Sequence, residues 1–316
     1  MTVLITGGTG YIGSHIATLL LEEGNDVLLL DNLSNSSKKV VSAIEFLCES
    51  NPDGKIDFYR GDLKYKRDVD LVFSENKIDA VIHLASHTKG EESAYEQLDA
   101  WENDIAGTIN LLKTMMEHNV NKLVYASFYN QSANSHSQKT IIENMLEQFS
   151  KKNDNLSIAI LKCAEVQGTH LSTILGTNFK SCYNSPFFNI FKAFALDEKI
   201  VISDVEKNKK IDLVHVVDAA QAFVNAVEFV GENVGFNTFN IGSGTGVSLS
   251  EIIEEFEVCC NKSIPIEIDN RGVFNQFSEL CDIEETKKTL NWFVKYDLRN
   301  ICCSTYRWAL RNKWKI

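Results

Sequence analysis

The stretch TGGTGYIGSH, residues 6–15, restricts the fold of this chain more than any other segment. It follows a short apolar run, TVLIT (2–6), and opens a helical pattern over 12–23 that stops at Gly24. Gly7, Gly10 and Gly13 give the spacing G-x-x-G-x-x-G. In such a loop the glycines serve a tight turn, a close approach of backbone to a pyrophosphate, and helix–strand packing. The helix start then offers N–H groups and a partial positive charge to phosphate. Glycine spacing alone is weak evidence, but here it lies between strand and helix, and Asp31 closes the second strand. A carboxylate at that point can accept the ribose hydroxyls of NAD and repels the additional phosphate of NADP. Gly61-Asp62, after a third strand, suits either an adenine-edge contact or a simple turn. A second glycine cluster, Gly242-Ser243-Gly244-Thr245-Gly246, has no following acid and reads as a structural turn.

Beyond the loop, near-continuous apolar runs at 26–31, 55–59, 79–85, 122–127 and 157–162 read as strands buried on both faces. Helical patterns at 66–75, 95–118 and 139–151 alternate with them. That rhythm predicts an α/β fold, a Rossmann-type doubly wound parallel sheet. After about residue 165 the alternation weakens, and a smaller C-terminal substrate-type domain is expected. The boundaries read as 1–165 plus 210–230 for the dinucleotide-binding domain, and 166–209 plus 231–316 for the smaller one. Helices are expected at 216–230 and 297–312, and a strand, glycine turn and helix over 236–256. A net charge of −12 argues against a nucleic-acid binder, which needs a basic face. No apolar run is long enough to span a bilayer, and no signal-peptide pattern is visible. A cytoplasmic protein is the expectation. None of the eight cysteines has C-x-x-C spacing, and the histidines supply no zinc pattern, so no metal site is expected. The adjacent pairs Cys259-Cys260 and Cys302-Cys303 read as buried thiols in a reducing compartment.

With these residues in view, the chain resembles an extended short-chain dehydrogenase/reductase of the UDP-glucose (UDP-galactose) 4-epimerase family. The likeness runs through VLITGGTGYIGSH, LLLDNLSNSS, FYRGDL, KIDAVIHLAS, NDIAGTINLL, DLVHVVDAAQA, NIGSGTGVS and LNW, almost the whole chain. It implies NAD contacts at Gly7, Gly10, Tyr11, Ile12, Gly13, Asp31, Asn32, Asn35, Ser36, Asp62, Leu63, Leu84, Ala85, Asn103 and Lys139. It also implies a nucleotide sugar as ligand, and a homodimer through helices within 95–118 and 139–151. In that family bound NAD takes a hydride from the sugar C4 and returns it to the other face. A tyrosine four residues before the helix lysine exchanges the hydroxyl proton, and a serine or threonine after the fifth strand shares the hydrogen bond.

Here the pattern departs. Lys139 and Glu143 set the register, and the tyrosine position is Ser135. An aliphatic hydroxyl is far less acidic than a phenol, and one neighbouring lysine does not close that gap. His136 and Tyr129 are substitute proton carriers to weigh against an ordinary exposed histidine and loop tyrosine. The strand-end hydroxyl position falls on Phe128, with Ser127 just before it. On the sugar-nucleotide side, Glu165 stands where the family has an amide, and Ile211 and Gly272 stand where it has arginines; Lys210 and Arg271 are adjacent. The catalytic candidates are therefore Lys139, Ser135, Ser127 and His136. The expectation is an NAD-binding protein with standard epimerase activity lost or much reduced. The alternative is an active NAD-dependent UDP-hexose 4-epimerase, or related oxidoreductase, with a rearranged proton carrier.

Overall fold

A computed structural model describes residues 1–49, 54–87, 93–129, 138–177, 185–269 and 280–312. The strands are β1 (Thr2–Thr6), β2 (Asp26–Asp31), β3 (Ile56–Arg60), β4 (Ala80–His83), β5 (Lys122–Phe128) and β6 (Ser157–Cys163). They continue with β7 (Glu165–Gln167), β8 (Ile200–Ile202), β9 (Lys210–His215), β10 (Gly235–Ile241), β11 (Gly246–Ser248) and β12 (Ile266–Ile268). The helices are α1 (Tyr11–Glu22), α2 (Lys39–Cys48), α3 (Lys66–Glu75), α4 (Ala94–Trp101), α5 (Gly107–Glu117) and α6 (Gln138–Ser150). After them come α7 (Pro186–Leu196), α8 (Asp204–Lys207), α9 (Val216–Glu232), α10 (Leu249–Cys260), α11 (Glu284–Thr289) and α12 (Leu298–Arg311). The chain divides into two compact units, 1–162 with 220–239, and 163–219 with 240–316.

Unit 1 carries a seven-stranded sheet in the order β10-β6-β5-β4-β1-β2-β3. β1 pairs in parallel with β2 and β4, β2 with β3, and β4 with β5. This is the expected parallel α/β sheet in a Rossmann arrangement, with the order turning back between β1 and β4. The apolar runs explain it: Val3, Leu4 and Ile5 in β1, and Ala80, Val81 and Ile82 in β4, are fully buried. Covering helices supply the other half of the core, where Val72, Leu111, Met115, Ile142 and Leu146 meet Leu4, Val81, Leu123 and Ile158. The predicted helix over 95–118 is interrupted: α4 passes into a π-helical turn at Glu102–Ala106 before α5 begins.

Unit 2 holds a three-stranded sheet, β11-β9-β7, and a parallel pair, β8 with β12. β9 runs parallel to β7 and antiparallel to β11. Its core is aromatic: Phe187, Phe191 and Phe194 of α7 lie 5.3, 6.0 and 5.4 Å from the Phe256 ring of α10, centroid to centroid. These pairings shift the boundaries read from sequence. β9 belongs with β7 and β11, so 210–219 pack in unit 2, and β10 extends the edge beyond β6, so 231–239 pack in unit 1.

The cysteine reading needs correction as well. Cys259 and Cys303 form a disulfide between α10 and α12, with 5.2 Å between their Cα atoms. Cys48, Cys163, Cys281 and Cys302 are buried thiols outside that bond, and Cys260 is a half-buried one. Pairing was hidden because it depends on two helices, 44 residues apart in sequence, turning the same face toward each other. Among the described residues, no helix is long and apolar enough to cross a membrane, and no His/Cys/Asp/Glu group could hold a metal ion.

Candidate functional site

Most of the predicted cofactor residues follow the C-terminal ends of β1 to β4, in the loops or the first turn of α1, while Asn103 lies on the π-helical turn and Lys139 on α6. Parallel sheets bind ligands at that edge, near the point where strand order reverses. After β1, the Gly10 N–H donates to the Gly7 carbonyl at 3.0 Å, which closes the turn. Gly7 is left-handed, with φ of 68°, and a Cβ there would meet Ala85 N at 2.9 Å. A Cβ on Gly13 would meet the Gly7 carbonyl oxygen at 2.5 Å. Helix α1 starts at Tyr11 and Ile12 with Gly10 as its N-cap and no side-chain cap bond. A helix start of this kind turns its first N–H groups toward an incoming anion.

Asp31 is 7% exposed and accepts from Thr9 N at 3.2 Å, Leu33 N at 2.8 Å and Ser36 Oγ at 3.0 Å. Ser36 and Thr9 share a further bond of 2.7 Å, so the acid and the glycine loop hold each other in place. Asn32 Nδ2 donates to Asp62 at 3.2 Å, linking the β2 and β3 loops; Asn35 lies in the first of these and Leu63 in the second. Leu84 and Ala85 follow β4, and their N–H groups donate to the Thr6 carbonyl and hydroxyl at 3.1 and 3.4 Å. His83, beneath them, shares bonds with Thr6 and Thr108, and burial, then the Lys139 charge, push it down to about 3. It is a neutral packing residue.

Sequence reading missed Asp104. It is 5% exposed on the π-helical turn and accepts from Ser86 Oγ and His87 N, both at 2.7 Å, and from Asn103 Nδ2 at 2.8 Å. It thereby pins the segment after β4 and orients Asn103. No motif marks it, since its partners lie 17 and 18 residues earlier. Turns of this type recur at functional sites, which is the signal that was available only in the structure.

Helix α6 brings Lys139 and Glu143, one turn apart, to the end of β5. Lys139 is buried, its Nζ donates to the Ala126 carbonyl at 3.1 Å, and the Tyr125 and Phe128 rings lie 4.8 and 5.9 Å away. Ser127 Oγ donates to Glu143, and the second Glu143 oxygen pairs with Lys162 Nζ at 2.8 Å. The predicted hydroxyl is thus tied into a carboxylate, while Phe128 is 59% exposed. Ser135, His136, Arg271 and Gly272 lie outside the described residues.

In unit 2, Glu165 accepts from Ser185 Oγ and from Gln167 Nε2 at 2.9 Å. Ser185 is also the N-cap of α7, accepting from Phe188 N at 3.2 Å. Burial pushes the Glu165 carboxyl above the ordinary carboxylate range, against the pull of these bonds. Ile211 is 1% exposed in the unit 2 core, and Lys210 beside it is exposed. The second glycine cluster closes as a turn on Asp212, which accepts from Ser243 N and Gly244 N. Because the folded Glu165 binds its proton more tightly than the unfolded chain does, it favours folding at low pH, and that contribution fades as pH rises through its folded value. Glu165→Gln is expected to unfold at nearly the wild-type temperature at pH 4 and above it at pH 8. Melting curves across that range check this, and a gap that does not widen with pH contradicts it.

The residues around the glycine loop fit NAD: the backbone leaves a cradle that a Cβ would fill, and Asp31 supplies the acceptor. Comparison with known proteins agrees. The model of a family described as NAD dependent epimerase/dehydratase matches residues 3–242. The UDP-glucose 4-epimerases of Bacillus subtilis and Yersinia enterocolitica are each 30% identical, over 99% of this chain and 98% of theirs. The crystal structure of a UDP-glucose 4-epimerase from Stenotrophomonas maltophila with bound NAD and formylated UDP-arabinopyranose superposes with a TM-score of 0.90, at 27% identity and 99% coverage of both chains. That of the Bifidobacterium longum enzyme with NAD+ and UDP gives 0.86 at 26% identity, again over 99% of each chain.

Proposed function

The chain belongs to the NAD dependent epimerase/dehydratase family, with NAD as its cofactor, and from that premise we propose an NAD-binding protein of the UDP-sugar class whose standard 4-epimerase step is lost or much reduced. In this family NAD, when bound, supplies oxidation and re-reduction of the sugar carbon. The chain's own share begins with the α1 N-terminus and glycine loop, which receive the pyrophosphate, and Asp31, which receives the ribose hydroxyls. Tyr11, Ile12, Asn32, Asn35, Ser36, Asp62, Leu63, Leu84, Ala85 and Asn103 complete that contact set.

Lys139 stands at the end of β5, and a cation there would lower the pKa of a neighbouring acid. The observation that carries the proposal is the register of α6: Lys139 and Glu143 sit together at β5, and four residues before Lys139 the chain has Ser135 rather than a phenol. A serine hydroxyl cannot hold and release a proton near neutrality, and losing a positioned acid/base lowers rate about 10²–10⁴-fold. Glu165 adds a carboxylate where a diphosphate sugar would meet an amide, and Ile211 withdraws a cation. A homodimer through the α4 to α6 side is part of the same reading, supported by exposed Tyr95 and Leu98 on α4.

One set of observations favours a second reading, an active UDP-hexose 4-epimerase with a rearranged proton carrier. Similarity to UDP-glucose 4-epimerases runs the full length, and Ser127 and Glu143 remain bonded to each other at β5, with Lys139 bonded to the Ala126 carbonyl beside them. His136 would then carry the proton. The test is mass spectrometry of the nucleotide that co-purifies, followed by conversion of UDP-galactose to UDP-glucose. Expected are bound NAD, turnover at least about 10²-fold below that of an active relative, and no rescue by Ser135→Tyr, because Glu165 and Ile211 still disfavour the diphosphate. Ready turnover that His136→Ala abolishes and Ser135→Ala does not would establish the second reading.

A further inference from the structure

The four cysteines at 259, 260, 302 and 303 lie on two packed helices, and only two are joined. Each helix is set independently by a capping box, Ser248 with Glu251 for α10 and Asp297 with Asn300 for α12. Phe256 of α10 and Ile301 of α12 are buried in the same core cluster, and Arg299 of α12 faces Glu255 of α10 at 3.6 Å. Cys259 and Cys303 both keep solvent contact, whereas Cys302 is fully buried in the unit 2 core. A cystine open to solvent can be reached by an external thiol.

The two unjoined thiols differ in character. Burial pushes Cys260 up to about 11 and Cys302 well above the ordinary thiol range. At pH 7 the Cys260 thiolate is then on the order of one part in ten thousand. Neither neighbour is a ready nucleophile toward the disulfide beside it, so the 259–303 pairing resists internal scrambling. The same cystine sits one residue before Ser304, whose Oγ accepts from Thr169 N at 3.1 Å and whose carbonyl accepts from Thr169 Oγ1 at 2.9 Å. His215 Nε2 lies 3.3 Å from the same Ser304 hydroxyl. Thr169 follows β7, the strand that carries Glu165 and Gln167. The cross-link therefore anchors the helix that holds this segment.

We propose that Cys259–Cys303 is a reversible thiol–disulfide exchange site for a dithiol partner, and that its redox state sets how firmly α12 holds the segment leaving β7. In the step, a partner thiolate attacks one sulfur of the cystine, the S–S bond breaks, and the other cysteine departs as a thiolate that takes a proton. The partner's second thiolate then attacks the mixed disulfide, releases the remaining cysteine as a thiol and leaves the partner oxidised. Two electrons and two protons pass to this chain, and the oxidised partner reverses the step. Where the surroundings are reducing, disulfides are rare and those that form are usually transient.

The experiment uses the full-length protein equilibrated with dithiothreitol, in either its oxidised or its reduced form, then blocked with N-ethylmaleimide and weighed intact. Two more labels are expected in the reduced sample, mapping to Cys259 and Cys303. Reduction should also lower the melting temperature of the chain by about 5–10 °C, and speed amide exchange of peptides spanning 165–170. Bound NAD, held in unit 1, should be retained in both samples. Cys303→Ser should melt like the reduced protein and ignore the redox buffer, while the Cys260→Ser/Cys302→Ala double variant should keep the full response. Equal labelling in the two buffers, a cystine mapped to another pair, or equal melting and exchange would each overturn the proposal. The wild-type comparison needs no variant to fold.

Discussion

Replacing Asp212 with alanine is expected to destabilise unit 2 by about 3–5 kcal/mol. Asp212 is fully buried on β9 and accepts from Ser243 N at 2.6 Å, Ser243 Oγ at 2.7 Å, Gly244 N at 3.2 Å and Cys281 N at 3.0 Å. Three of those donors are backbone amides, of Ser243 and Gly244 in the turn and of Cys281 in a connecting segment. Alanine removes the carboxylate together with its bonds, leaving the buried Cys281 N–H and the half-buried amides of Ser243 and Gly244 without it, and the desolvation cost of a stranded donor exceeds the net value of its bond. Asparagine keeps the shape but turns one acceptor into a donor facing N–H groups, so its cost should fall between alanine and wild type. Urea unfolding followed by tryptophan fluorescence measures both, since Trp292 and Trp308 lie in unit 2. A loss below 1 kcal/mol for alanine would mean that the turn finds water.

Gly13→Val should lower NAD affinity by at least about 10²-fold. The added Cβ would stand 2.5 Å from the Gly7 oxygen and 2.9 Å from Gly8 Cα, and no rotamer moves a Cβ. The turn must open, and the first-turn N–H groups of α1 then lose their aim at the phosphates. Two or three charge-assisted bonds of about 1.5–3 kcal/mol each depend on that aim. Gly231→Ala in α9 is the matched control, since a Cβ there meets nothing within 4 Å. Fluorescence titration with NADH reads both variants. Wild-type affinity in Gly13→Val would remove the glycine loop from the binding site.

Local pattern announced the strands of unit 1 because buried parallel strands have no other way to be written than as apolar runs, and DVLLLD and SIAILK are of that kind. Asp31 and Lys139 were legible for a similar reason, each at a set distance from an element that was itself legible. What tertiary context decides was not. Helix α7, PFFNIFKAFAL, is apolar except at Asn189 and Lys192, and a short apolar run does not by itself separate a buried helix from a strand; its Phe187, Phe188, Phe191 and Phe194 are all buried. Helix α2 hides behind a polar loop that resembles a turn. Glu143 read as a register mark and proves to be the shared partner of Ser127 and Lys162, while Asp104 carried no mark at all. Pairing of Cys259 with Cys303, rather than with the adjacent thiols, follows from which helix faces meet.

The wide turn at Glu102–Ala106 is the place where this stretch can absorb a change in length. A π-helical turn holds about one residue more than an α-helical one, so dropping one residue there would close it to ordinary helix and leave α5, with Leu111, Leu112 and Met115, nearly in phase with α4. What would go is the position from which Asp104 reaches Ser86 and His87. A one-residue gap in related chains should therefore fall within 102–106 and go together with loss of that acid.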